Sequence, residues 1–161
     1  MIGNDIVDLA FARQESSWKR KGFFNKIFTS KEQELITSCG YQEIMIWNLW
    51  SRKEAAYKIY NRQTRNRTYN PAQFECFDTA LEIGSVFFEN HVFYTRTTIT
   101  SDYIYTEAVL NTGVFKKIQA ISRPQNIQKE EGIPFYFDES NIKKPLSITN
   151  HGRFEKIISL M

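Results

Sequence analysis

The stretch Trp47-Asn48-Leu49-Trp50-Ser51-Arg52-Lys53-Glu54-Ala55-Ala56-Tyr57-Lys58-Ile59-Tyr60 contains neither glycine nor proline and is rich in Leu, Ala, Lys and Glu. Such residues favour a helix, and the apolar ones are spaced to bury much of its surface. On that helix Trp50, Glu54 and Lys58 fall at i, i+4 and i+8 and share one stripe. Ala55 and Ala56 carry so little bulk that another backbone or a ligand can come close beside them. Taken alone, the stripe reads as an ordinary helix face whose Glu–Lys pair is worth about 0.2–0.5 kcal/mol. A sharper reading needs a second acid from elsewhere in the chain.

The opening residues supply one. Met1 to Leu9 mixes Ile and Val with small polar residues and predicts a short strand ending in a turn. On a strand Asp5, Val7 and Leu9 face one way and Asn4, Ile6 and Asp8 the other. Asp5 then sits among apolar neighbours, where a carboxylate needs a partner or a cation. Asp8 is placed to cap a helix starting near Leu9.

The 161 residues are expected to form one domain over 1–161, large enough to bury roughly 70% of its unfolded surface. Cys39 and Cys76 form no CxxC or zinc-like cluster, which predicts reduced structural thiols. Acidic Asp5 and Asp8 stand where a secretion signal has positive charge, and no stretch approaches the length of an apolar membrane span. A cytoplasmic protein without membrane contact is therefore expected. The net charge of +3 is mild for a nucleic-acid binder. Arg62, Arg65 and Arg67 nevertheless cluster after the central helix, either as solvated surface or as an anion site.

The first helix is expected from Leu9 to about Arg20. A second begins at Ile27-Phe28-Thr29-Ser30-Lys31-Glu32, where Thr29 with Glu32, or Ser30 with Gln33, forms a capping box, and Gly40 closes it. The central helix should run from Gln42 or Glu43 to about Tyr60. Beyond Pro71, 73–79, 86–88, 91–100 and 103–110 read as strands, with turns at Glu89-Asn90 and Ser101-Asp102. Residues 115–121 read as strand or short helix, and 122–144 as mostly loop. A last strand pair is expected across Asn150-His151-Gly152. The pattern is an α+β fold, an N-terminal strand and helices followed by an antiparallel sheet.

Three stretches resemble one family, the 4'-phosphopantetheinyl transferases. Gly3-Asn4-Asp5-Ile6-Val7-Asp8 resembles its Gly-x-Asp-[Ile/Val]-x-[Glu/Asp] strand, and Trp50 to Lys58 its Trp-Ser-x-Lys-Glu-Ala-x-x-Lys helix. Between them, Phe28-Thr29-Ser30-Lys31-Glu32 is similar to the Phe-Thr-x-x-Glu segment of the small holo-acyl-carrier-protein synthases. Near the end, Ser147-Ile148-Thr149-Asn150-His151 resembles that branch's Ser-x-Ser-His strand. The order is that of the small synthases, while residues 61–144 match only loosely.

The resemblance implies magnesium-dependent transfer of 4'-phosphopantetheine from coenzyme A to a serine of an acyl or peptidyl carrier protein, releasing 3',5'-ADP. It assigns Asp5 and Glu54 to the metal, Lys58 to the phosphates, and Glu54 also to the serine proton. Magnesium suits such a pair because it takes one or two carboxylates together with phosphate oxygens. Lys53, about 100° from Glu54 around the helix, would touch the ligand edge or pack by its stem. Arg62 and Arg65 would hold the coenzyme's 3'-phosphate or face an acidic carrier protein. Ser147 and His151 are the further coenzyme candidates, although Asn150 stands where the family's histidine would fall. In a strand that offset of one reverses the side, so His151 serves the coenzyme only if the turn begins there. A trimer is implied by the same resemblance. The competing readings are a nucleic-acid-binding module built on Arg62, Arg65 and Arg67, and a catalytically degenerate family member that only binds carrier proteins.

Overall fold

The computed structural model describes every residue except Asp78 and Thr79. Strand β1 (Ile2–Asp8) leads into four helices: α1 (Leu9–Glu15), α2 (Phe23–Ile27), α3 (Ser30–Ser38) and α4 (Gln42–Thr64). Asp8 caps α1 by accepting from the Ala10 and Phe11 amides. Thr29 and Glu32 close both halves of the capping box on α3. Helix α1 stops at Glu15, short of the expected Arg20, and Phe23-Phe24 open a separate short helix. Gly40 lies beyond the end of α3, whose C-cap is the extended Cys39.

The remaining strands are β2 (Glu75–Phe77), β3 (Ile83–Phe88), β4 (His91–Ile99), β5 (Tyr103–Val109), β6 (Ile118–Ala120), β7 (Gln128–Glu130), β8 (Ile133–Phe137), β9 (Lys143–His151) and β10 (Phe154–Leu160). Among the described residues they form two five-stranded sheets, ordered β1-β5-β4-β3-β2 and β6-β10-β9-β8-β7, with every pairing antiparallel. The end of the strand expected over 73–79 lies outside the described residues. Short 3-10 turns occupy Pro71–Gln73 and Thr112–Lys117.

The expected loop over 122–144 is instead half hairpin. Glu130 pairs with Ile133, leaving a two-residue turn of Glu131 (φ 51°) and Gly132 (φ 85°). Positive φ at both central residues gives the turn that matches the twist of a hairpin. Between β9 and β10 the turn is Gly152-Arg153, since His151 pairs with Phe154. His151 is thus the last strand residue, not part of the turn.

Helix α4 lies across the first sheet and carries much of the core, burying Met45, Ile46, Leu49, Ala55, Ala56 and Ile59. Gly3 sets how closely β1 approaches it: a Cβ there would lie 2.0 Å from the Ala55 carbonyl oxygen. Only the absence of that carbon lets strand and helix touch. No helix among the described residues is long and apolar enough to cross a membrane.

The two sheets meet at β1 and β9 without a main-chain ladder. One edge of β1 pairs with β5. Along the other edge, the amides of Asn4, Ile6 and Asp8 donate to Ser147 Oγ (3.1 Å), Thr149 Oγ1 (3.2 Å) and His151 Nδ1 (2.9 Å). The offset between partners is 143 at every rung, so β1 and β9 run parallel and are joined by side chains. Amides that would otherwise be buried and unpaired are satisfied there.

Candidate active site

The seam between the sheets is also where α4 presents its polar stripe. Lys58 Nζ donates to the Asn4 carbonyl (2.6 Å) and the Ile148 carbonyl (3.2 Å), one on each side of the seam, and lies 3.7 Å from Asp5 Oδ1. One turn earlier on α4 is Glu54. Asp5 and Glu54 line the same cleft of about 310 Å³, with Trp47, Trp50, Asn150 and His151 among its walls. The strand acid and the helix acid are therefore brought together, and Lys58 stands beside them.

Both carboxyls are held above their ordinary range. Burial raises Asp5, opposed by Lys58 and by the Thr149 hydroxyl, which donates to Asp5 Oδ1 at 3.2 Å. Burial raises Glu54 to about 7, reinforced by the Asp5 charge and opposed by Lys58. Two acids with a single ammonium between them are short of positive charge. Asp5 Oδ2 is buried with no hydrogen-bond partner among the described residues. An orphaned carboxylate oxygen beside a second carboxylate fits a hard, oxygen-seeking cation. The Tyr69 hydroxyl lies beside Glu54, likewise buried and without a partner at bonding distance, and its ring stacks on Tyr57 at 4.4 Å.

A second cleft, of about 400 Å³, opens on the other side of Asn150 and Lys58. Its cations are Lys58, Arg62, Arg123 and Lys129, and Ser147 and Ile148 form part of its floor. Arg62 is mostly buried, donates to the Leu146 carbonyl, and is lowered by burial to about 10, so it stays charged at neutral pH. Arg123 pairs with Glu155, while Lys129 carries no ion pair among the described residues.

Other candidates are engaged elsewhere. Lys53 is fully buried: its ammonium donates to Glu32 Oε2 (2.6 Å), the Ile27 carbonyl (2.8 Å) and the Pro71 carbonyl (2.9 Å). With all three donors used, it holds the α3 cap to α4 and reaches neither cleft. Arg65 pairs with Glu131 at 3.0 Å and Arg67 donates to the Glu131 carbonyl, so neither lines the cleft that holds Lys58. His151 lines the carboxylate cleft, but its Nδ1 is occupied by the Asp8 amide and its Nε2 lies 3.9 Å from Glu15 Oε2. Asp8 itself is withdrawn from the site: Arg153 grips both its oxygens and holds the carboxyl well below the usual range.

Thr149, Arg123 and Lys129 were not singled out from the sequence. The alternation of polar Ser147, Thr149 and His151 on one strand face was the available signal for the first. Lys129 depends on a hairpin that the sequence hid, and Arg123 lies between β6 and that hairpin, paired to Glu155 of β10.

Curated proteins yield no match to the chain. Among solved structures, the ACPS–CoA complex from Chronobacterium ammoniagenes is similar, with TM-score 0.52 and 19% identity over 66% of this chain and 93% of that one. A holo-(acyl-carrier-protein) synthase from Bacillus anthracis in complex with CoA (3',5'-ADP) gives TM-score 0.52 and 15% identity over 68% and 93%. The holo-[acyl-carrier-protein] synthase from Thermotoga maritima gives TM-score 0.53 and 12% identity over 98% and 81%. At these identities the likeness speaks for the fold alone. The sequence model of the 4'-phosphopantetheinyl transferase superfamily matches residues 1–111, the span that holds β1, the α3 cap and the α4 stripe. Strand acid, helix acid and lysine meet at one seam within that span, and the chain belongs to the 4'-phosphopantetheinyl transferase superfamily.

Proposed function

We propose that the chain transfers 4'-phosphopantetheine from coenzyme A to a serine of an acyl or peptidyl carrier protein, leaving 3',5'-ADP. The observation that carries this reading is the pairing of Asp5 and Glu54 in one cleft, with Asp5 Oδ2 unpartnered and Lys58 at 3.7 Å from the other oxygen. Asp5 and Glu54 would hold magnesium, which when bound supplies Lewis-acid neutralisation of a diphosphate.

The chain's own groups then divide the work. The cleft lined by Lys58, Arg62, Arg123 and Lys129 takes the coenzyme's phosphates, where ammonium and guanidinium groups offset charge and fix position. Lys58, shared between that cleft and Asp5, faces the phosphoryl group in transit. Glu54 accepts the proton of the incoming serine hydroxyl at a carboxylate oxygen. Residues from both ends of the chain take part, so residues 1–161 act as one unit in this reading.

The test is incubation with a fluorescent coenzyme A analogue, magnesium and an apo-carrier protein. Label should appear on the carrier serine, and Asp5→Asn or Glu54→Gln should slow labelling by about 100-fold or more. Folded variants that label at the wild-type rate would overturn the assignment. A panel of carrier proteins identifies the pathway served.

A further inference from the structure

Thr149 sits at the middle rung of the seam, and its hydroxyl does two things at once. It accepts the Ile6 amide at 3.2 Å and donates to Asp5 Oδ1 at 3.2 Å. Among the described residues the other rungs make no hydrogen bond to the acid: Ser147 meets the Asn4 amide and His151 the Asp8 amide. A hydroxyl has one proton to give. Here the accepted amide bond polarises the O–H that is given to the carboxylate, a short chain of mutually reinforcing bonds.

The two oxygens of Asp5 are thereby made unlike. Oδ1 has the Thr149 hydroxyl and Lys58 beside it, whereas Oδ2 is buried with no hydrogen-bond partner among the described residues. We propose that Thr149 is a positioning residue, which fixes Asp5 so that Oδ2 is left free for a divalent cation. The inference rests on the reading above that Asp5 is a metal ligand. Thr149 touches neither substrate nor cation; it acts through Asp5, as outer-shell hydrogen bonds orient ligands in other metal sites.

The experiment measures Mn2+ binding to the purified full chain, without coenzyme A, by calorimetric titration alongside thermal melting. Thr149→Val should weaken Mn2+ by about tenfold or more, and Thr149→Ser, which keeps the hydroxyl, should bind as wild type. Should the valine variant not fold, Thr149→Cys, whose thiol is a weaker donor, should fall clearly below the serine variant. Thr95→Val removes a different buried hydroxyl, bonded to the Gly84 carbonyl at 2.9 Å, and should lower melting without weakening Mn2+. Wild-type affinity in Thr149→Val, or an equal loss in Thr95→Val, would overturn the proposal. Asp5→Asn separates the two failures. If it too binds normally, the metal reading itself is wrong; if it alone loses Mn2+, only the role of Thr149 falls.

Discussion

Lys53 and Glu54 are neighbours in the chain with opposite fates, because one step on a helix turns a side chain by about 100°. Lys53 is buried with its own acid, Glu32, and three hydrogen bonds; Glu54 reaches a cleft where the charge that acts on it most is another carboxylate, Asp5. The consequence is a pH-dependent stability of definite sign. Glu54 titrates near 7 in the fold against an ordinary 4.5, so the folded state binds the proton more tightly than the unfolded one. Its contribution is fully present below about pH 4.5 and is lost as pH rises through about 7, on the order of 3 kcal/mol. Thermal melts of the metal-free protein should therefore fall between about pH 5 and pH 8, with added magnesium restoring the loss at the upper end. Glu54→Gln should flatten the slope. A wild-type slope in that variant would place the titration elsewhere, since Asp5 is shifted in the same direction.

At the scale of elements, the meeting of β1 and α4 was legible because both carry local signals: an apolar strand with Asp5, and an uninterrupted helix with Glu54 and Lys58 one turn apart. Even the small residues at Ala55 and Ala56 announced a close approach. What approaches is Gly3, whose missing Cβ would stand 2.0 Å from the Ala55 carbonyl oxygen. Gly3→Ala should force strand from helix and destabilise the fold by about 2 kcal/mol or more, since backbone cannot rotate aside as a side chain does. Urea unfolding measures it, and an unchanged midpoint would show that β1 shifts freely. The β7–β8 hairpin was illegible for a local reason. Its turn is Glu131-Gly132, with a glutamate at positive φ where Asn or Asp is the usual signal. The seam was hidden for another: a side-chain ladder between strands 143 positions apart leaves only a polar alternation in β9, without the hydrophobic pattern that marks ordinary pairing.

At the scale of the whole molecule, the superfamily match ends at residue 111, yet the clefts do not. Residues beyond it contribute Ser147, Asn150 and His151, and also Arg123 and Lys129 around the β7 strand. The arginines at and just beyond the end of α4, Arg62, Arg65 and Arg67, were expected to hold phosphate or face a carrier protein, but Glu131 engages Arg65 and Arg67. That leaves Arg62 at the cleft and brings in the later cations. Lys129 is the informative one: it lines the cleft and has no ion pair among the described residues, so its charge is available to an incoming polyphosphate. Lys129→Ala should raise KM for coenzyme A about five- to tenfold, the size of one ordinary hydrogen bond, with kcat nearly unchanged because the residue stands apart from Asp5 and Glu54. The KM of the variant should also depend less on salt, since one fewer cation meets the phosphates. Steady-state labelling at two ionic strengths reads both effects. An unchanged KM would mean that the hairpin borders the cleft without holding the coenzyme, and that Lys58 and Arg62 hold the phosphates without it.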